Sequence, residues 1–282
     1  MTDPPDVCPG RGPLLLARSS RNSVAIGAGS SYHRRMPDPI FAHPRLARIY
    51  DTFDGPRDDL DAYLAIADEF GARRIVDLGC GTGCLPLLLT ATGREVIAVD
   101  PAGASLDVAR AKPAADTVTW IDGSSSAIPA DAAADLVFMT GNAAQAVLAD
   151  DEWAALLRDV RDALGPGGFF VFESRRPERR AWEEWAVQTD PVRAEVPGVG
   201  LVEQRSEVTA VDLPFVSFRH SYRFPAEDPA DDDTELTSDS TLRFRSRDEL
   251  TASLEAEGFI VHDIREAPDR LGREFVYLVR RT

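Results

Sequence analysis

The sequence predicts an α/β protein with a doubly wound, mostly parallel seven-stranded sheet and an antiparallel β lid inserted late in the chain. Short apolar strands alternate with helical patterns from residue 74 onward, as in parallel sheets with right-handed crossovers. Three glycines at alternate positions join the first strand to a helix within residues 75–83. Residues 178–245 interrupt this rhythm with period-two alternation, which indicates antiparallel strands.

Seven apolar runs are expected to form the main sheet. They are 74–78, 95–99, 118–121, 135–139, 169–173, 259–264 and 274–279. The helical patterns between them cover 85–92, a stretch from about 103, 153–164 and 250–257. Ser246 and Glu249 are spaced as a capping box before the last of these helices. The glycine-rich run 165–168 is expected to form a turn before the fifth strand.

The strands and helices divide the chain into five parts. Residues 1–35, rich in Pro, Gly, Ser and Arg, are expected to be a disordered extension, and Met36 is a candidate translation start. Residues 36–70 carry two amphipathic helical patterns that form an N-terminal cover. The ligand-binding core is expected over 71–177, the lid over 178–245 and the completion of the core sheet over 246–282.

Three strands are expected in the lid, at 202–211, 215–224 and 235–244. Along the second strand, alternation sends His220 and Tyr222 to one face and the intervening arginines to the other. The acidic run 231–233 is interpreted as a solvated turn between two strands rather than a metal site, and no metal is expected elsewhere in the chain.

The composition favours a small-molecule substrate. A net charge of −16 argues against nucleic acid and against an anionic membrane surface, since both need clustered Lys and Arg. The three cysteines lack the spacing of a disulfide framework or a zinc site, so reduced thiols and a cytoplasmic location are expected. No run of eighteen apolar residues predicts a membrane span.

The glycine-rich segment carries the main functional signal. In Ile-Val-Asp-Leu-Gly-Cys-Gly-Thr-Gly, residues 75–83, the glycines let a ligand approach the backbone closely. Asp100 follows Gly83 by seventeen positions and ends the second apolar run, where a carboxylate can accept hydrogen bonds from ribose hydroxyls. These features predict a nucleoside site. The dinucleotide pattern G-x-G-x-x-G is absent because positions 84–86 are Cys, Leu and Pro, which weakens a nicotinamide oxidoreductase as the alternative.

The segment 77–83 with Asp100 resembles the cofactor motifs of class I S-adenosylmethionine-dependent methyltransferases. The resemblance implies S-adenosylmethionine as cofactor, a last strand antiparallel to the others, and N-terminal helices that close over the cofactor. The family often has Gly-Asp-Ala after the third strand, whereas this chain has Gly123-Ser124-Ser125, so adenine recognition would depend on the Ser124 hydroxyl, on backbone groups or on Asp122. The residues implied to bind the cofactor are Asp77, Gly79, Cys80, Gly81, Thr82, Gly83, Asp100, Pro101, Asp122, Gly123 and Ser124.

The acceptor side is predicted from segments after the fourth and fifth strands and from the lid. Gly141-Asn142 and Arg175 resemble the glycine and sarcosine N-methyltransferases, in which an arginine holds a substrate carboxylate. Asn142 is a candidate catalytic residue. His220 is a candidate to take a proton near neutral pH, with Tyr222 beside it. Tyr50 is a candidate to reach the site from the N-terminal cover.

Each of these candidates has a plainer structural interpretation. Tyr50 and His220 can be satisfied core residues, and Arg175 can belong to a solvated arginine cluster with Arg176, Arg179 and Arg180. Trp182 and Trp185 lie three residues apart on a predicted helix, where they can line an aromatic wall for an amine or pack the lid on the core.

The sequence therefore predicts a methyltransferase that moves a methyl group from S-adenosylmethionine to a small-molecule acceptor, with an amine or amino-acid-like nitrogen favoured. The alternatives are an O-methyltransferase of a small metabolite and a non-catalytic module that binds S-adenosylmethionine. Positioning of the acceptor can supply much of the rate of such a transfer, so the lack of an obvious catalytic triad does not weaken the prediction.

Overall fold

A computed structural model describes residues 36–188, 190–225 and 234–282. The expectations for the N-terminal extension and for the acidic run 231–233 lie outside the described residues. The helices are α1 (Pro39–Ala42), α2 (Pro44–Asp54), α3 (Leu60–Glu69), α4 (Cys84–Ala91), α5 (Gly103–Arg110), α6 (Asp150–Ala163), α7 (Ala181–Val187) and α8 (Arg247–Ala256). Within the described ranges, no helix is long and apolar enough to cross a membrane.

The strands form two sheets. They are β1 (Arg74–Leu78), β2 (Glu95–Asp100), β3 (Thr119–Asp122), β4 (Ala134–Met139), β5 (Leu164–Arg175), β6 (Val192–Val196), β7 (Gly200–Asp212), β8 (Phe215–Phe224), β9 (Thr234–Arg243), β10 (Phe259–Arg265) and β11 (Glu274–Arg281). The larger sheet has seven strands in the order β10-β11-β5-β4-β1-β2-β3, and the smaller has the order β6-β7-β8-β9.

The seven-stranded sheet confirms the predicted fold class. Strands β1 to β5 are mutually parallel, and β11 pairs antiparallel with both β5 and β10. Because β1 lies between β4 and β2, the strand order reverses at β1, and the loops after β1 and β4 diverge to opposite faces. The carboxyl ends of the parallel strands therefore open at one edge, where a doubly wound sheet binds its ligand.

Alternation along the central strands packs both faces of this sheet. On β4, Leu136 and Phe138 face a cluster with α3, α4 and α5, whereas Val137 and Met139 face a cluster with α6 and α8. All four side chains are buried, as expected of a central parallel strand covered by helices on both sides. The core thus holds the open edge of the sheet on rigid elements.

The start of β5 corrects one expectation. The run 165–168, predicted as a turn, belongs to β5, and α6 ends at Ala163 rather than at residue 164. Leu164 already pairs with Ala134, and a Cβ atom at Gly168 would lie 2.8 Å from the Ala134 carbonyl oxygen. The glycines therefore let the chain pass close to β4, a role that the turn interpretation of the same residues does not reveal.

The lid sheet confirms the predicted alternation but has four strands instead of three. Tyr222 and Phe224 are buried on one face of β8, and Arg219 and Arg223 are exposed on the other. The missed strand is β6, which pairs antiparallel with β7. Of its five residues only Val196 is buried, so the segment carries no clear hydrophobic alternation.

Candidate functional site

The glycine loop after β1 borders the open edge of the large sheet. Gly79, Gly81 and Gly83 have φ values of +79°, +53° and +83°, which explains the alternate glycines. A Cβ atom at Gly81 would meet no atom within 4 Å, so the backbone there faces open space. A Cβ atom at Gly79 would lie 3.3 Å from the Cβ of Ala143, which brings the loop after β4 against the glycine loop.

Asp100 ends β2 and holds the glycine loop in place. Its Oδ2 accepts a hydrogen bond from the Gly81 amide at 2.8 Å, and its Oδ1 accepts one from the Ala102 amide at 2.8 Å. Burial raises the pKa of Asp100, and these two amides oppose that shift. Each carboxylate oxygen keeps a second lone pair, so the predicted ribose contact is compatible with this geometry and stays a prediction.

Asp77, at the same edge, is the side chain that points most directly to a ligand. It is 2% exposed, and its Oδ1 has no hydrogen-bond partner among the residues that the structure describes. Burial, reinforced by the charge of Asp100 and opposed by Arg57, raises the pKa of Asp77 to about 7. A buried carboxylate oxygen without a donor is costly, so the site fits a ligand that brings a donor, such as the ammonium group of S-adenosylmethionine.

The other residues predicted for the cofactor line the same edge. Cys80 is buried, and the Thr82 hydroxyl donates to Asp51 of α2, which ties the N-terminal cover to the loop. Pro101 and Asp122 are exposed, and Asp122 pairs in register with Asp100.

The segment after β3 closes this edge. Gly123 donates its amide to the Asp100 carbonyl at 3.0 Å, and the Ser124 and Ser126 hydroxyls lie 3.1 Å apart. Over the described ranges, no three His, Cys, Asp or Glu side chains are placed to hold a metal ion.

A buried polar network surrounds Asn142, which follows β4 with a φ of +58°. Its backbone amide donates to Glu173 at 3.1 Å, and its side-chain amide donates to Glu274 at 2.9 Å. The Tyr63 hydroxyl donates to Glu173 at 2.6 Å, and Arg270 donates to Glu274 at 3.0 Å. Burial, reinforced by the Glu173 carboxylate, raises the pKa of Glu274.

Sequence reasoning missed Tyr63, Arg270 and Glu274. The available signal was Glu274 itself, a carboxylate at the start of an otherwise apolar strand. The register of β11 places Glu274 opposite Arg175 of β5.

Arg175 extends this network toward the lid. Its Nη1 donates to the Gln145 side chain at 3.1 Å, its Nε lies 3.8 Å from Glu274 Oε1, and its guanidinium lies 5.3 Å from the ring centroid of Trp185. Burial lowers the pKa of Arg175, and the carboxylates of Glu274 and Glu173 oppose that shift. The predicted contact of Arg175 with a substrate carboxylate stays a prediction.

A cavity of about 270 Å³ lies between Arg175 and the buried face of the lid. Its lining residues are Arg175, Trp185, Gln188, Ser206, Glu207, Val208, Phe218, His220 and Leu242. The His220 Nδ1 lies 2.7 Å from the Ser206 hydroxyl, and burial lowers the pKa of His220, which keeps its ring neutral near pH 7. Two candidates from different parts of the sequence, Arg175 and His220, thus face one cavity.

Tyr222 and Tyr50 do not line this cavity and belong instead to the apolar cluster that joins α1 and α2 to the lid. The Tyr222 hydroxyl accepts from Gln204 at 2.9 Å, and its ring packs on Phe53 of α2 with centroids 5.6 Å apart. Tyr50 packs on Phe41, and burial raises the pKa of its phenol. The predicted role of Tyr50 in the site stays a prediction.

The two tryptophans of α7 have different surroundings. Trp182 is buried and packs edge-on against Phe244, with ring centroids 4.8 Å apart, so it anchors the helix. Trp185 lines the cavity beneath Arg175 and meets Phe218 of β8. The packing interpretation therefore holds for Trp182, whereas the aromatic wall at Trp185 stays a prediction.

Comparisons with known proteins agree with this architecture. Residues 75–168 match the family model described as a methyltransferase domain. The cypemycin N-terminal methyltransferase of a Streptomyces species is 31% identical over 145 residues, which cover 50% of this chain and 59% of that protein. The chain thus spans little more than half the length of this curated relative.

Solved structures show the same fold over most of the chain. A S-adenosylmethionine-dependent methyltransferase from Clostridium acetobutylicum has a TM-score of 0.68 at 17% identity, covering 84% of this chain and 98% of its own. The sugar N-methyltransferase KedS8 from a Streptoalloteichus species has a TM-score of 0.66 at 18% identity, covering 93% and 100%. At sequence identities this low, the structural likeness supports the fold alone.

Proposed function

We propose that this chain, a class I S-adenosylmethionine-dependent methyltransferase by its matched domain and its sheet, transfers a methyl group to a nitrogen atom of a small-molecule amine. The observation that carries the proposal is the cavity between Arg175 and the lid. Arg175 donates to Gln145 in the segment after β4, and the same segment approaches the glycine loop at Ala143. The curated relative named as an N-terminal methyltransferase supports a nitrogen acceptor.

The cofactor would lie along the edge formed by the glycine loop, Asp77 and Asp100. Open space beside Gly81 leaves room for it, and the unpartnered Asp77 Oδ1 would accept from its ammonium group. S-adenosylmethionine supplies a methyl group on a positively charged sulfur, so the residues around it need chiefly to position the acceptor.

His220 is assigned the role of taking a proton from the acceptor, because it lines the cavity. An ammonium group must lose a proton before its nitrogen has a free electron pair. When Nδ1 of His220 donates to Ser206, Nε2 is free to accept that proton. Because burial keeps the ring neutral, this acceptor is present at neutral pH.

The acceptor atom can be identified directly. We would incubate the protein with S-adenosylmethionine labelled with ¹³C in its methyl group and with primary amines, each paired with the alcohol and the carboxylic acid of the same skeleton. Carbon NMR separates N-methyl from O-methyl products. We expect label on nitrogen only. Labelled methyl ethers or esters with unmodified amines would identify an O-methyltransferase and reject the proposal.

The affinity for S-adenosylhomocysteine is expected to fall about tenfold per pH unit below pH 7, because protonated Asp77 no longer attracts the ligand's ammonium group. The stability of the protein without ligand should change in the opposite direction as the pH rises. Since the folded-state pKa of Asp77 is raised above its unfolded value, the contribution of this group to stability decreases as pH rises from about 4 to about 7.

Calorimetric titration between pH 5.5 and 8 measures this dependence. Asp77→Asn removes the titrating group and should bind weakly at every pH, with a flat profile over this range. A wild-type profile as flat as that of the variant would show that Asp77 does not face the ammonium group.

A further inference from the structure

We propose that Glu274 Oε2 and Asn142 Oδ1 form a pair of hydrogen-bond acceptors that binds the N–H groups of the methyl-accepting amine. This inference rests on the proposed function, since it assumes a nitrogen acceptor. It adds a specificity-determining residue, Glu274, from the last strand of the sheet.

The hydrogen bonds orient both side chains. A carboxylate accepts only, so the Asn142 amide nitrogen must face Glu274 Oε1, 2.9 Å away, and Asn142 Oδ1 must point elsewhere. Oε1 also accepts from Arg270 at 3.0 Å. In the described part of the chain, neither Asn142 Oδ1 nor Glu274 Oε2 has a hydrogen-bond partner.

Both side chains are deeply buried, with 2% of each residue exposed. An unpaired buried acceptor is unfavourable, and an unpaired carboxylate oxygen more so. The neighbouring Glu173 shows that this region otherwise pairs its oxygens, since it accepts from Tyr63 and from the Asn142 backbone. Two unpaired acceptors on side chains that are hydrogen-bonded to each other therefore point to a donor that arrives from outside the chain.

Neighbouring residues connect the pair to the glycine loop on one side and to the cavity lining on the other. Asn142 precedes Ala143, whose Cβ would be 3.3 Å from a Cβ atom at Gly79 of the glycine loop. On the other side, Glu274 Oε1 lies 3.8 Å from the Nε of Arg175, which lines the cavity. An amine that enters from the cavity toward the glycine loop would meet these two oxygens.

The charges here favour an N–H donor over an anion. Glu173 and Glu274 are balanced by Arg270 and Arg175, since Arg270 Nη2 also lies 3.6 Å from Glu173. A substrate carboxylate at the unpaired oxygens would meet two acceptors and no donor, which costs free energy. The amine end of a substrate should therefore point to Glu274, with the rest of the molecule in the cavity.

Sinefungin tests this inference without knowledge of the substrate. It carries a primary amine where S-adenosylmethionine carries the transferable methyl group, and S-adenosylhomocysteine has no group there. We expect the wild-type protein to bind sinefungin at least about tenfold more tightly than S-adenosylhomocysteine in calorimetry, because the two unpaired oxygens accept its N–H groups.

Glu274→Gln should remove this preference. The glutamine oxygen can still accept from Asn142 and Arg270, but its NH₂ group replaces Oε2 with a donor. The ratio of the two dissociation constants should fall to about one, with the value for S-adenosylhomocysteine within threefold of wild type. Glu69→Gln, which changes a carboxylate paired with Arg265 on the surface, should keep the wild-type ratio.

If Glu274→Gln does not fold, Asn142→Ser provides the same test, because it removes Oδ1 and leaves Glu274 paired with Arg270. A sinefungin preference that survives in the folded variant would overturn the inference and leave the two oxygens to buried water. The labelled-methyl assay is independent of this ratio. An O-methylated product there rejects the amine function, whereas N-methylation with an unchanged ratio rejects only the role of Glu274.

Discussion

Replacing Gly83 by alanine is expected to destabilise the protein by about 3–4 kcal/mol and to lower its melting temperature by about 10 °C. The new Cβ atom would lie 2.5 Å from Trp120 Cη2 and 2.9 Å from the Cβ of Ala109. Trp120 cannot move away freely, because its indole N–H donates to the Ala115 carbonyl at 2.8 Å. The φ of +83° adds about 1–2 kcal/mol of strain for any L residue with a side chain.

Gly93→Ala is the matched control for this change. Gly93 has a φ of +84°, nearly that of Gly83, but a Cβ atom there would meet no atom within 4 Å. The control therefore carries the backbone strain without the clash, and its melting temperature should fall by only a few degrees. Calorimetry without cofactor measures both values. Equal losses in the two variants would mean that contact with Trp120 contributes nothing to the glycine requirement.

The parts of the fold that the sequence predicts are those with local signals. Strands β1 and β2 are short apolar runs between charged or glycine residues, and the three positive φ values after β1 require the glycines that the sequence has there. Asp77 and Asp100 follow from the same signals, because each lies within or at the end of such a strand and the strands are parallel.

The parts that sequence reasoning missed depend on contacts between distant segments. The hydrogen bond from Asn142 to Glu274 joins residues 132 positions apart, and the one from Tyr63 to Glu173 joins residues 110 apart. A single glutamate or tyrosine in an apolar pattern does not indicate which residue it will hydrogen-bond with in the folded protein. The register of β11 against β5 creates the site around Glu274, and that register depends on the folded sheet.

Asp100→Ala is expected to weaken the binding of S-adenosylhomocysteine about 100-fold, a loss of about 3 kcal/mol. The variant removes the acceptor of the Gly81 and Ala102 amides, so the glycine loop loses two charge-assisted hydrogen bonds that hold it in place. It also removes the two free lone pairs assigned to the ribose hydroxyls. Calorimetric titration at pH 8, above the pKa of about 7 of Asp77, measures the change.

Two further variants separate the causes of this loss. Asp100→Asn keeps one acceptor oxygen, so its affinity should lie between those of the wild type and Asp100→Ala. Asp107→Ala removes an equal charge from the exposed side of α5 and should bind within twofold of wild type, which excludes a general effect of the net charge of −16. If Asp100→Ala binds within threefold of wild type, Asp100 is not the ribose ligand. The neighbouring Asp122, in register with it on β3, then becomes the carboxylate to test, because it is exposed at the same edge.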